Sequence, residues 1–249
     1  MTNIDYNKIA SEYYQHRRVH PGVLAKLTSF GALRKELKIL EVGCGTGNYA
    51  VALRALLDCE IWAIDPSQEM LSKARERSAE IHFSVGRGEK LDFPHSFFDI
   101  VFSVDVIHHL SRPCDFFCEA HRVLKEGGNV CTVTDSEWII RHREPLAVYF
   151  PETVEVELKR YPGIDQLKRI MIKVGFGDIK DSIVEFPYEL HDAQAYRDKA
   201  FSSLHLISEE GFEHGIEQME LDLLAGPIKC VSRYSILSGT KPSQVIVST

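Results

Sequence analysis

The sequence predicts an α/β protein with a doubly wound, mostly parallel, seven-stranded sheet and a helical cap, and three observations predict it. Short β-branched runs alternate with longer amphipathic segments along the 249 residues, the rhythm of helices laid over a sheet. Runs such as DIVFSV are apolar on both faces, as strands are when helices cover both sides of a parallel sheet. The stretch LKILEVGCGTGNYA carries an apolar run into three glycines at alternate positions, Gly43, Gly45 and Gly47, and then into a second apolar segment.

Taken in order, strands are expected over 38–42, 60–65, 81–85, 98–103, 129–134, 179–186 and 232–241. Helices are expected to begin near Tyr49, Ser67, Pro113 and Gly163, with Ser67 as a cap residue and Glu69 supplying a negative charge to the first turn. Two segments break the rhythm. Residues 136–162 are charged and aromatic, and residues 188–227 read as two successive helices with no strand between them. Both are expected to form the cap over the carboxyl ends of the strands, where open α/β sheets place their ligands. The whole of 1–249 is read as one domain with an N-terminal arm over 1–22.

Composition narrows the class. A hydrophobic content of 44% supports one large core. No apolar run approaches the roughly 18 residues of a membrane span, and the polar, acidic N-terminus has no signal-peptide core, so a cytoplasmic protein is expected. The six cysteines form no CxxC pair, which suggests neither a disulfide framework nor a metal site. A net charge of -7 argues against a nucleic-acid partner, since phosphate binding needs a basic face.

The glycine loop reads as GxGxG. A dinucleotide fingerprint would require a third glycine where Asn48 stands. Directly before the loop, Glu41 would repel a pyrophosphate and attract a cation. Asp65 follows Gly43 by 22 residues, at the end of the next expected strand, where a carboxylate can accept hydrogen bonds from ribose hydroxyls. A nucleoside carrying a positive charge points to S-adenosylmethionine.

These residues resemble the class I S-adenosylmethionine-dependent methyltransferases, in particular the small-molecule subgroup that includes ubiquinone- and menaquinone-biosynthesis-like enzymes, whose fold is Rossmann-like. LEVGCGTGNY is similar to that family's first motif, IDPSQEML to its second, GRGEKLDFPHSFFDIVFS to its third block, and EAHRVLKEGGNVCTV to its helix, turn and fifth strand. The resemblance implies that Glu41, Gly43, Gly45, Asn48, Asp65, Pro66, Met70, Gly88, Glu89 and Val104 hold the cofactor, with Met70 beneath the adenine. It also implies that the arm closes over the cofactor, with Tyr13 and Arg17 contacting the methionine end and Arg17 pairing to its carboxylate; Tyr14 is a candidate contact to the acceptor. The product would be S-adenosylhomocysteine.

A sulfonium methyl is already activated, so alignment and exclusion of water can supply most of the barrier reduction. Where the acceptor loses a proton, a base near neutrality is needed, and VDVIHHLSRP offers His108 and His109. Packing against the sheet or capping a turn is the competing role for each. Beyond the fifth strand, TDSEWIIRHREP places Asp135, Trp138 and Arg141 where an acceptor would enter, although solvent-facing charge reads equally well. A small or medium organic acceptor is expected. A tRNA-modifying methyltransferase and a non-catalytic cofactor-binding protein are the alternatives, and neither the accepting atom nor the oligomeric state is legible.

Overall fold

The computed structural model describes residues 18–31 and 35–243. In chain order the elements are α1 (Pro21–Ser29), β1 (Leu37–Val42), α2 (Asn48–Leu56), β2 (Cys59–Asp65), α3 (Gln68–Arg77), β3 (His82–Val85) and β4 (Phe98–Val104). There follow α4 (Pro113–Val123), β5 (Leu124–Thr134), α5 (Glu137–Arg141), α6 (Leu146–Tyr149), α7 (Glu152–Arg160) and α8 (Ile164–Val174). The chain closes with β6 (Gly177–Leu190), α9 (Gln194–Arg197), α10 (Glu209–Ala225) and β7 (Ile228–Thr240).

The seven strands form one sheet in the order β3-β2-β1-β4-β5-β7-β6. β1 pairs in parallel with β2 and β4, β2 with β3, and β4 with β5, whereas β7 inserts antiparallel between β5 and β6. The order reverses at β1, so the crevice at its carboxyl end is the place for a ligand. Alternation along the strands feeds two separate layers of core. Ile39, Ile61 and Ile100 face one, Leu40, Ile64 and Val101 the other, and each such side chain stabilises the fold by roughly 1.5–3 kcal/mol when fully buried. The Ser67 hydroxyl accepts from the Met70 amide at 3.1 Å and Glu69 sits in the first turn of α3, as the sequence predicts.

Three boundaries differ from expectation. β5 begins at Leu124, five residues early, because the Gly127–Gly128 pair bends within the strand instead of ending it; Gly127 has φ 73° and the register shifts between Phe98 and Ile100. β6 and β7 extend to a Leu190–Ile228 pair, so residues 188–190 are strand and the cap starts later than expected. Both faces of β6 are largely exposed, and backbone pairing with β7 lengthens it without an apolar pattern to announce it. The second cap segment is also not two equal helices: α9 is one turn, a 3-10 turn covers Ser202–His205, and α10 runs 17 residues. The two cap segments share a third core of Leu146, Phe150, Tyr196, Leu204 and Met219.

Candidate functional site

β1 delivers the chain to a loop that only glycine can follow. Gly43, Gly45 and Gly47 all have positive φ, at 71°, 53° and 75°, and a Cβ on Gly43 would lie 2.3 Å from a Val106 methyl. The amides of Gly43 and Cys44 both donate to the Ile64 carbonyl, at 2.8 and 3.0 Å, and the Gly47 amide donates to the Cys44 carbonyl at 2.8 Å. Asp65, at the end of β2, fixes the other side. Its Oδ2 accepts from the Gly45 amide at 2.8 Å and its Oδ1 from the Ser67 amide at 2.9 Å. Desolvation pushes its carboxyl above the usual carboxylate range, with the two amides pulling the other way. Asp65 therefore joins the two halves of the crevice.

The crevice is a cleft lined by Arg18, Glu41, Gly43, Cys44, Asn48, Tyr49, Val104, Asp105 and Tyr234. Glu41 is buried, at 2% exposure. Burial pushes its carboxyl up to about 8, against a backbone hydrogen bond to Ala50 that lowers it. Its Oε2 has no hydrogen-bond partner among the described residues. The Asn48 side-chain oxygen accepts from Arg77, whose guanidinium also donates to the Thr46 carbonyl at 3.0 Å. On the far wall, Tyr234 donates to Asp105 Oδ2 at 3.0 Å, and Asp105 itself has φ 57°. His20 seals this side: its amide donates to the Tyr49 hydroxyl at 3.0 Å and its ring meets Tyr234 edge-on at 5.4 Å. Burial holds its imidazole below the usual range. Nδ1 accepts from the Val23 amide at 3.3 Å, so the ring proton sits on Nε2, facing the Ser232 carbonyl at 3.3 Å.

Of the expected cofactor residues, Glu41, Gly43, Asn48 and Val104 line the cleft, and Gly45 and Asp65 adjoin it through their shared hydrogen bond. Pro66 is exposed beside them. Met70 is buried at 2% exposure and does not line the cleft. Gly88 packs so closely that an added Cβ would meet Val42 at 3.0 Å, and Glu89 accepts from Ser111 at its amide and hydroxyl, 3.3 and 3.4 Å. Arg17, Tyr13 and Tyr14 lie outside the described residues. Five lining residues were not among the expected cofactor residues: Arg18, Cys44, Tyr49, Asp105 and Tyr234. Tyr49 follows the loop directly and was within reach of local reading, whereas Tyr234 arrives on β7 through the Thr134–Ser235 pairing, which no local pattern reports.

Next to the cleft, His108 stacks on Tyr161 with ring centres 4.0 Å apart and planes at 16°, and His109 lies 3.9 Å from His108. His109 is exposed, His108 half-buried, and neither lines the cofactor cleft. Asp135 is buried at 3% exposure and pairs with Arg143. The Arg143 guanidinium lies 5.8 Å from the Tyr161 ring centre. Trp138 is half-exposed, stacked on His142 at 4.6 Å with Arg233 5.6 Å from its ring. Arg141 pairs with Glu137 at 3.1 Å on the exposed side of α5. The structure thus brings Asp135 to the cap interior but leaves Trp138 and Arg141 on the outer side of a helix, a solvent-facing arrangement that the charged composition of this segment also fits.

The reversal at β1, the antiparallel β7 and the cleft at the glycine loop define a Rossmann-like α/β fold with its ligand crevice at the carboxyl end of β1. Residues 40–132 match the family model described as methyltransferase domain. An uncharacterized methyltransferase of Schizosaccharomyces pombe is 36% identical over 111 residues, 40% of each chain, so this chain spans about two fifths of that relative's length. The 27-O-demethylrifamycin SV methyltransferase of Amycolatopsis mediterranei is 22% identical over 87% of this chain and 82% of its own. In fold, the chain is similar to phosphoethanolamine N-methyltransferase 2 of Haemonchus contortus in complex with S-adenosyl-L-methionine, with a TM-score of 0.64, 19% identity and coverage of 97% and 61% of the two chains.

The cleft's own atoms fit such a cofactor. A buried carboxylate oxygen without a partner is costly, and at Glu41 a cation or a bridging water would satisfy it. The missing Cβ at Gly43 makes room for a Val106 methyl, so the tight glycine turn, packed on Val106, fixes this side of the cleft. Among the described residues, no group of three or more His, Cys, Asp or Glu could hold a metal, and no helix is long and apolar enough to cross a membrane.

Proposed function

We propose that the cleft binds S-adenosylmethionine and that the chain transfers its methyl group to a small or medium organic acceptor admitted under the cap, in the cytoplasm. The observation that carries this reading is the unpartnered Glu41 oxygen beside the Gly43–Gly47 turn, a carboxylate suited to a cationic nucleoside and hostile to paired phosphates. When bound, the cofactor supplies an activated methyl: a bond forms to the acceptor atom as the carbon–sulfur bond breaks, the electron pair stays on sulfur, and S-adenosylhomocysteine leaves.

The chain's part is placement. Asp65 holds the loop and keeps a lone pair on each oxygen for ribose hydroxyls. Glu41 and Asn48 face the methionine end, and Tyr234 and Asp105 form the wall between cofactor and cap. His108, held flat against Tyr161, is the group best placed to take a proton from an acceptor that releases one. The acidic net charge of -7 supports a small molecule over a nucleic acid.

Equilibrium dialysis with S-adenosylmethionine, S-adenosylhomocysteine and a nicotinamide dinucleotide tests the binding half. Retention of the first two alone is expected, and retention of the dinucleotide alone would overturn the reading. Incubation with methyl-labelled cofactor and a metabolite extract tests the transfer half through the appearance of a labelled product.

A further inference from the structure

The cap closes on the sheet through a polar seam that the cofactor cleft does not use. Asp135, just beyond β5, pairs with Arg143. Glu157 on α7 pairs with Arg160 at 3.3 Å, and Arg160 also donates to the Ser202 hydroxyl at 3.3 Å. Tyr161 joins the two halves: it lies beneath the Arg143 guanidinium, feels the charges of Glu157, Arg143 and Asp105, and stacks on His108. Asp105 lines the cofactor cleft, so the seam and the cleft share a wall.

Three side-chain oxygens in the seam lack a hydrogen-bond partner among the described residues: Asp135 Oδ1, Glu157 Oε2 and Ser203 Oγ. Their residues are 3%, 3% and 1% exposed. Each buried acceptor left unmade costs on the order of 1–3 kcal/mol, a cost that a purely structural seam could avoid with apolar side chains of similar volume. These oxygens call for donors, because two are carboxylate oxygens and the third can accept. The Arg143 Nη2, ion-paired to Asp135 but also without a hydrogen-bond partner among the described residues, calls for an acceptor, and a hydroxyl or an amide supplies this mixture. Charge restricts the donor further. Within the seam the two carboxylates are matched one for one by two guanidiniums, and Asp105 on the shared wall accepts from the Tyr234 hydroxyl and faces the cofactor cleft. A ligand of net charge in the seam would therefore itself be a buried ion without compensation.

We propose that the seam between the end of β5 and α7 recognises the methyl acceptor, and that this acceptor is an uncharged molecule presenting hydroxyl or amide N–H groups to Asp135 and Glu157. The inference rests on the methyltransferase reading above and deepens it by naming the acceptor's class. The Tyr161–His108 stack sets the side of the seam that faces the transferred methyl, and the hydrogen bonds to Asp135, Glu157 and Ser203 orient the molecule from the other side.

The test uses the full chain. A metabolite extract is separated at pH 7 on cation and anion exchangers into cationic, anionic and uncharged fractions, and each is incubated with the protein and methyl-labelled S-adenosylmethionine. Label transfer to the uncharged fraction alone is expected; transfer to an ionic fraction with none to the uncharged one would overturn the proposal. Glu157→Gln then separates recognition from structure. It is expected to raise the apparent KM for the uncharged fraction about tenfold, the loss of one hydrogen bond to a charged group, while the affinity for S-adenosylhomocysteine measured without acceptor holds. An unchanged apparent KM would overturn the assignment of Glu157. Failure of the wild-type chain to retain the cofactor in dialysis would overturn the underlying reading and this one with it, a result distinct from retained cofactor with transfer to ions.

Discussion

Glu41→Gln isolates the most unusual charge in the cleft. The wild-type carboxyl is buried at 2% exposure and is pushed to about 8 from an ordinary 4.5, so ionising it in place costs on the order of 5 kcal/mol. Between those two values the folded state holds a proton that the unfolded chain has released. Stability therefore falls as pH rises from about 4.5 to about 8 and levels off above. Glutamine keeps the volume and cannot ionise, so the variant loses this slope. In a chain of this size about 1 kcal/mol corresponds to roughly 2–4 °C. Of the roughly 5 kcal/mol, about 4 kcal/mol falls between pH 5 and pH 8.5, so the ligand-free wild type should lose about 8–16 °C in melting temperature relative to the variant over that range. Scanning calorimetry of both proteins across that range, without cofactor, gives the difference curve. Parallel curves would refute the argument, because a solvated Glu41 would then titrate alike in both states.

The same proton appears on binding: at pH 7 the wild type should release up to one proton when S-adenosylmethionine enters, read as a dependence of calorimetric enthalpy on buffer ionisation that Glu41→Gln abolishes. Asp65→Ala leaves the Gly45 and Ser67 amides without their acceptor and should destabilise the ligand-free protein by about 2–4 kcal/mol as well as weaken cofactor binding; an unchanged urea midpoint would show that the carboxylate serves the ligand alone. Gly43→Ala combines φ 71° with a 2.3 Å approach to Val106 and should cost about 2–3 kcal/mol, with cofactor retention in dialysis lost first. His108→Ala should lower label transfer by about 100-fold or more if it is the base while cofactor affinity holds, and a loss of both together would assign it to packing through Tyr161.

How much of this was legible follows from where each contact sits in the chain. The loop from Gly43 to Gly47, the Ser67 cap and Asp65 lie within one βαβ unit, where sequence neighbours are spatial neighbours and a backbone needing positive φ leaves glycines in the text. Even there the local reading was incomplete: it gave Asp65 to a ribose, and the structure adds the hydrogen bond that ties it to Gly45. Tyr234 reaches the cleft from β7, 129 residues beyond its partner Asp105, and no period or motif encodes a pairing of that span. The extra length of β6 was illegible for a different reason, since both of its faces are exposed and apolar alternation marks only half-buried strands.

The proposed acceptor side gathers the region around His108, the end of β5, α7 with Tyr161, and the 3-10 turn holding Ser203. Each is ordinary when read alone: Arg143 passes for a surface charge, and Glu157 and Arg160 for a helix-face pair three apart. Only their burial together makes them candidates for the recognition surface proposed above. Burial also explains why the cofactor is easier to infer than the acceptor. A ligand held by one turn leaves its requirements in consecutive residues, while a ligand held by a closing cap spreads them over segments whose common environment exists only in the folded chain.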